Sequence, residues 1–215
     1  MTEKVARYIP AFSYHWLTPV YDPVLKWGMR EEIFKRRLIS QANIRAGERV
    51  LDLGCGTGTL AILLKETIPG ADVTGLDGDP AVLKLAGEKA DRAGVRITWD
   101  RGMAFALPYP DRSFEKVISS LVIHHLTAEN KFRAFQEIHR VLKPFGECHV
   151  LDFGRPHGPL GWLISQGTRH LEEVKENFDG KLPGLLVEAG FKEVTETASM
   201  TSVFGPISLL RAVKY

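Results

Sequence analysis

An α/β fold built on a mainly parallel sheet is what this sequence of 215 residues predicts. Three observations lead there. Apolar runs of strand length alternate with longer segments of helical periodicity, a glycine-rich turn follows the first run, and two strand-like runs with no helix between them lie near the end. The first strand is "RVLDLG", followed by a helix over 60–67. "DVTGLD" precedes a helix over 81–93, "KVISSLV" precedes a helix over 128–142, and "CHVLDFG" closes the alternation. "FKEVTETAS" and "ISLLRAVKY", joined through "MTSVFGP", read as an antiparallel hairpin. Residues 154–190, rich in glycine and proline, bridge the last parallel strand to that hairpin.

The composition supports one domain with one sizeable core. The chain carries 28 basic and 26 acidic residues for a formal charge of +2. Neither sign collects into a block, so no nucleic-acid groove is expected. Cys55 and Cys148 sit among apolar residues and make no disulfide or metal framework, which suits a reducing, cytoplasmic interior. No segment reaches the roughly 18 apolar residues of a membrane-spanning helix, and the first thirty residues carry charges and prolines without an apolar core run.

The stretch "LGCGTGTLA" holds glycines at 54, 56 and 58 between a strand and a helix. A flexible turn there lets backbone come close to a ligand, while amides point outward at a helix start. This is a nucleotide-cofactor turn. A dinucleotide turn, the mark of an NAD(P)-dependent dehydrogenase, would need glycine or alanine at 59, where this chain has Thr59. A phosphate-binding loop would need lysine directly after the last glycine, and Lys65 lies too far along. Asp77 closes the second strand, where a carboxylate can accept both hydroxyls of a ribose. Asp79, followed by Pro80 and a helical pattern, reads as a helix N-cap.

At these motifs the sequence resembles a family. "VLDLGCGTG", "GLDGDP", "ALPYPDRSFEKVISSLVIHHL" and "RVLKPFG", in that order over nearly the whole chain, are similar to successive motifs of class I S-adenosylmethionine-dependent methyltransferases, and within them to the ubiquinone and menaquinone biosynthesis group. The resemblance implies a Rossmann-like three-layer sandwich whose seven-stranded sheet has the order 3-2-1-4-5-7-6 with strand 7 antiparallel. It implies S-adenosyl-L-methionine as cofactor and S-adenosyl-L-homocysteine as product. By resemblance Gly54, Gly56 and Thr57 line the methionine tail, Asp52 supports it, and Asp77 with Gly78 holds the ribose. Ala104 offers backbone to the adenine, and Ser120 sits near the sulfonium. Two positions depart from the family pattern. Met103 stands where an acidic residue usually meets the adenine amino group, leaving a polarizable thioether to pack on the purine. Phe145 replaces the first glycine of a Lys-Pro-Gly-Gly turn.

Methyl transfer needs alignment more than it needs a base. A base becomes useful when the acceptor is a hydroxyl or an acidic carbon, and His124 and His125, just past the fourth strand, are placed to serve. A histidine there can equally cap or pack. His15 and His157, in the flanking segments, could also face substrate, but a lone histidine in such a stretch is usually solvated. No Asp/Glu/His cluster has metal-ligand spacing, and Asp152 alone is not a site. A small, apolar or aromatic acceptor, methylated on carbon or oxygen rather than nitrogen, fits better than DNA. A protein that binds the cofactor without catalysis is the non-enzymatic alternative. Finally, "AFSYHWLTPVYDPVLKW" makes residues 1–42 a helical cap on a core of 43–215, with Tyr21 reaching the methionine end of the cofactor. The alternatives for this segment are permanent packing on the sheet or a homodimer contact.

Overall fold

The computed structural model describes residues 31–168, 174–202 and 204–215. The strands are β1 (Arg49–Leu53), β2 (Asp72–Asp77), β3 (Thr98–Arg101), β4 (Phe114–Ser120), β5 (Leu142–Phe153), β6 (Lys192–Ser202) and β7 (Gly205–Val213). The helices are α1 (Glu31–Ala42), α2 (Thr59–Thr67), α3 (Pro80–Ala93), α4 (Ala128–Val141), α5 (Pro159–Thr168), α6 (Lys175–Phe178) and α7 (Leu182–Glu188), with a 3₁₀ turn at Ile123–His125. One sheet runs β3-β2-β1-β4-β5-β7-β6, and β7 is antiparallel to both neighbours. The strand order, the hairpin and the placement of the expected helices all match the reading of the sequence.

Side-chain alternation splits the core across the sheet. Leu51 and Leu53 of β1, Val117 of β4, Cys148 and Val150 of β5, and Leu210 and Ala212 of β7 face one side. There they pack with Phe135 and Ile138 of α4 and Leu182 and Leu186 of α7. Val50, Ile118, Leu151 and Leu209 face the other side, against α1 and α2. Asp52 alternates with Leu51 and Leu53 and therefore lies on the α1 and α2 side.

Caps and breaks follow local chemistry. Asp79 Oδ1 accepts from the Ala81 amide at 2.8 Å with Pro80 at the first helical position, as expected of an N-cap. The end of α4 is closed by Lys214, whose Nζ donates to the carbonyls of His139 and Leu142 at 2.7 and 2.8 Å. β5 begins directly after α4, earlier than expected, because "KPFG" loops out between the pairs Phe114–Leu142 and Lys116–Glu147. Phe145 takes φ +62° there, a conformation that favours the glycine it replaces, with its ring edge-on to Tyr215.

Three features differ from the sequence reading. β3 has no alternating pattern and is half exposed at the sheet edge. Residues 154–190 contain α5, α6 and α7 rather than a plain bridge, and α7 enters the core through Leu182 and Leu186. The last part of the expected N-terminal cap, α1, belongs to the core layer instead. Its Phe34, Leu38, Ile39 and Ala42 recur at helical spacing and are buried against the sheet, where amphipathic packing holds a helix best. Tyr21 and the remainder of the cap lie outside the described residues. No helix among the described residues is long and apolar enough to cross a membrane.

If α1 is core, Leu38→Ala, at a fully buried position, should lower unfolding free energy by about 2–5 kcal/mol. Urea denaturation measures this, and a loss below about 1 kcal/mol would place α1 outside the cooperative unit.

Candidate active site

The carboxyl ends of β1, β2, β3 and β4 bring the sequence-predicted residues to one edge of the sheet, and the chain reverses its strand order between β1 and β4, where an open α/β sheet forms its crevice. The turn after β1 starts with the amides of Gly54 and Cys55, both donating to the Leu76 carbonyl of β2 at 2.8 and 3.0 Å. The three glycines serve different purposes. A Cβ on Gly54 would collide with the Val122 side chain, so glycine lets this turn meet the connection after β4. A Cβ on Gly58 would lie 2.7 Å from the Trp99 ring and 2.9 Å from Ala86, so glycine seats α2 against α3 and β3. Gly56, at φ +52°, faces open space. It is the glycine of the turn whose missing side chain leaves room for a ligand.

Asp77, at the end of β2, ties this turn down. Its Oδ2 accepts from the Gly56 amide at 2.9 Å and its Oδ1 from the Asp79 amide at 3.0 Å. Each oxygen keeps acceptor capacity for one further donor. Burial raises its pKa against the pull of those amides. Thr57 is held from α3, with Lys89 Nζ donating to Thr57 Oγ1 at 2.7 Å. Gly78 accepts weakly from Arg101 Nε at 3.4 Å through its carbonyl. Beyond β3, Met103 and Ala106 close a tight turn, Ala106 N to Met103 O at 3.0 Å, and Ala104 packs on the core. Tyr109 donates to Asp100 Oδ2 at 3.0 Å, bracing β3 beside this turn.

Asp52 lies inside β1 and is 1% exposed. Burial pushes its carboxyl up to about 7, with the Asp77 charge adding to the rise, against the Lys35 ammonium and an amide bond from Ala61. Among the described residues nothing donates to its buried Oδ2, nor to Ser120 Oγ at the end of β4. Buried polar atoms of native proteins are almost always paired. Two unpartnered oxygens at the ends of β1 and β4 mark where a ligand with hydrogen-bond donors fits.

After β4, Leu121 adopts φ +59° and the 3₁₀ turn carries His124, 5% exposed, and the half-buried His125. Their rings lie 4.0 Å apart between centroids, and His124 is also edge-on to Phe153 at 4.8 Å. His124 Nδ1 lies 2.8 Å from Asp152 Oδ1. Sequence reasoning set Asp152 aside because it considered the residue only as a metal ligand. It also passed over Asn177 of α6, which donates to the same carboxylate at 3.2 Å. No local pattern announces either residue, since their partners lie 28 and 25 positions away. His157 is remote from this group, pairing with Glu196 of β6 at 3.2 Å. His15, like Tyr21, falls outside the described residues.

Residues 50–146 match the family described as "Methyltransferase domain". The chain is 39% identical over 179 residues to a demethylmenaquinone methyltransferase of Thermus thermophilus, covering 74% of this chain and 80% of that one. It is 33% identical over 150 residues to a 2-phytyl-1,4-naphtoquinone methyltransferase of Synechococcus elongatus, covering 67% and 63%. Among solved structures, phosphoethanolamine N-methyltransferase 2 of Haemonchus contortus in complex with S-adenosyl-L-methionine superposes with a TM-score of 0.68 at 18% identity, covering 84% of this chain and 52% of that one, a likeness of fold. The crevice, with its open glycine, the acceptor capacity left on Asp77 and the two buried oxygens of Asp52 and Ser120, has room and acceptors for that cofactor, and the dehydrogenase alternative falls away. This chain belongs to the class I S-adenosylmethionine-dependent methyltransferases of the ubiquinone and menaquinone biosynthesis group, and transfers a methyl group to a small apolar molecule.

Proposed function

We propose that the protein methylates a ring carbon or hydroxyl of a reduced quinone, and that the residues at the carboxyl edge of the sheet divide the work as follows. The buried Asp52 Oδ2 receives the ammonium of the methionine tail, and this atom is the observation that carries the reading. A charged donor is what an isolated carboxylate oxygen in a dry site requires. Gly56 gives the tail room, with Gly54 and Thr57 shaping the turn. Asp77 takes the ribose hydroxyls while holding the Gly56 amide, and Gly78 lies beside it. Met103 and Ala104 flank the adenine, the thioether packing where a carboxylate would have accepted a hydrogen bond. Ser120 Oγ faces the reacting end.

The cofactor supplies an electrophilic methyl group on a sulfur that leaves as a neutral thioether. The protein must bind, align and dry the partners. A quinone is electron-poor, so the acceptor must enter as the hydroquinone. His124, with His125 beside it, takes the hydroxyl proton. The names of the Thermus and Synechococcus relatives support this acceptor class, and the buried, unbridged Cys55 and Cys148 support a cytoplasmic setting.

Two outcomes are expected. With labelled S-adenosylmethionine, 2-phytyl-1,4-naphthohydroquinone should gain one methyl group and the oxidised quinone none. Transfer to amines or phospholipids but to no hydroquinone would overturn the acceptor class. Asp52 should also make cofactor binding pH-dependent. Its folded pKa of about 7 lies above the ordinary 3.8. The unliganded fold therefore has this contribution to stability in full below 3.8 and loses it as pH rises through about 7. An arriving ammonium favours the ionised form, so S-adenosylhomocysteine should bind more tightly as pH climbs and level off above about 7, with proton release below it. Calorimetry in buffers of different ionisation enthalpy measures this. Asp52→Asn should abolish the dependence, and a flat wild-type profile would remove Asp52 from the ammonium site.

A further inference from the structure

Asp152 of β5 is 1% exposed, and donors converge on both of its oxygens. Oδ2 accepts from the amides of Val122 at 3.1 Å and Ile123 at 2.8 Å, and more weakly from that of His124 at 3.4 Å. Oδ1 accepts from the Phe153 amide at 2.7 Å and from Asn177 Nδ2 at 3.2 Å, and it lies 2.8 Å from His124 Nδ1. Burial works against ionisation here, yet the His124 ring and the Phe153 amide hold this carboxyl below its ordinary value. An ionised carboxylate only accepts, so Nδ1 at this distance must carry its proton and donate.

We propose that Asp152 is a positioning residue of the methyl-transfer site: it fixes His124 as the Nδ1–H tautomer and so makes Nε2 the basic nitrogen offered to the acceptor hydroxyl. This rests on His124 being the base. In the step it serves, the Nε2 lone pair takes the hydroxyl proton, and the O–H bonding pair stays on the acceptor oxygen. The imidazolium formed carries its charge beside the Asp152 carboxylate until the proton passes to water.

A plain cap for the 3₁₀ turn explains only half of this arrangement. Three backbone amides need one acceptor oxygen, and Oδ2 satisfies them. Oδ1 instead joins the His124 ring to Asn177 of α6, which is fully buried and leaves its own Oδ1 without a partner. The carboxylate therefore fastens the histidine, the turn after β4 and the segment after β5 to one point. His124 Nδ1 is the histidine nitrogen that meets Asp152 Oδ1, and the His125 ring lies against it, with centroids 4.0 Å apart and planes tilted by 42°.

The test is NMR on protein labelled with ¹⁵N-histidine and saturated with S-adenosylhomocysteine, with the His124 signals among the seven histidines identified by comparison with His124→Gln. Neutral His124 should show a protonated Nδ1 and a lone pair on Nε2. Asp152→Asn should erase that preference and lower kcat on 2-phytyl-1,4-naphthohydroquinone at least ~10-fold, while the dissociation constant for S-adenosylhomocysteine stays within about twofold. The same change added to His124→Ala should lower kcat no further. A wild-type Nε2–H tautomer, or an equal loss of kcat from Asp152→Asn with and without His124, would overturn the proposal. If Asp152→Asn does not fold, the wild-type tautomer decides alone. The NMR result needs no acceptor, so failure of the hydroquinone to react would count against the acceptor class and leave the tautomer to be judged separately.

Discussion

The close approach of the turn after β1 to the connection after β4 is the constraint on which the site depends. Any side chain at position 54 would strike Val122, and the two segments would be forced apart at the point where the strand order reverses. Their proximity puts a turn built for a nucleoside cofactor next to a turn that carries two histidines. β2 and β5 then each send one carboxylate to fasten a turn: Asp77 holds the amides of Gly56 and Asp79, and Asp152 holds those of Val122 and Ile123. Both carboxylates stand in or at the end of sheet strands, so the loops that must position reactants are anchored to the most rigid part of the molecule.

The two buried acids Asp52 and Asp152 are equally hidden yet shifted in opposite directions, and the reason is their donors. The charge and hydrogen bond of His124, with the Phe153 amide, hold the Asp152 carboxyl down despite its burial, and six donor contacts, three on each oxygen, surround it. Asp52 has the Ala61 amide and the more distant Lys35 ammonium against full desolvation, and it leaves one oxygen unpartnered. Asp152 has its acceptor capacity filled within the fold, whereas Asp52 keeps an oxygen that no donor among the described residues reaches.

Much of this was legible in the sequence because it is local. The glycine turn, the Asp79 cap and the helices with clear periodicity depend on residues within one or two turns of each other. β3 escaped because four half-exposed edge residues carry no alternation. α1 was assigned to a cap although Phe34, Leu38, Ile39 and Ala42 are spaced for one buried face, since the aromatic run before it drew the boundary too far along the chain. The partnership of Asp152, His124 and Asn177 could not be read at all. It exists only because the β4–β5 register sets Ser120 opposite Leu151 and α6 folds back over the end of β5. The open role of Gly56, against the packing roles of Gly54 and Gly58, likewise needed the neighbours in space.

One cofactor pose should satisfy both Asp52 Oδ2 and Ser120 Oγ, the two buried oxygens left without donors among the described residues at the ends of β1 and β4. A crystal structure of the protein with S-adenosylhomocysteine tests it most directly. The expected result is the ammonium within hydrogen-bond distance of Asp52 Oδ2, the ribose hydroxyls on Asp77 and the adenine between Gly78 and Met103, with the sulfur toward Ser120. A ligand lying elsewhere, or one that leaves Asp52 Oδ2 still without a donor, would contradict it.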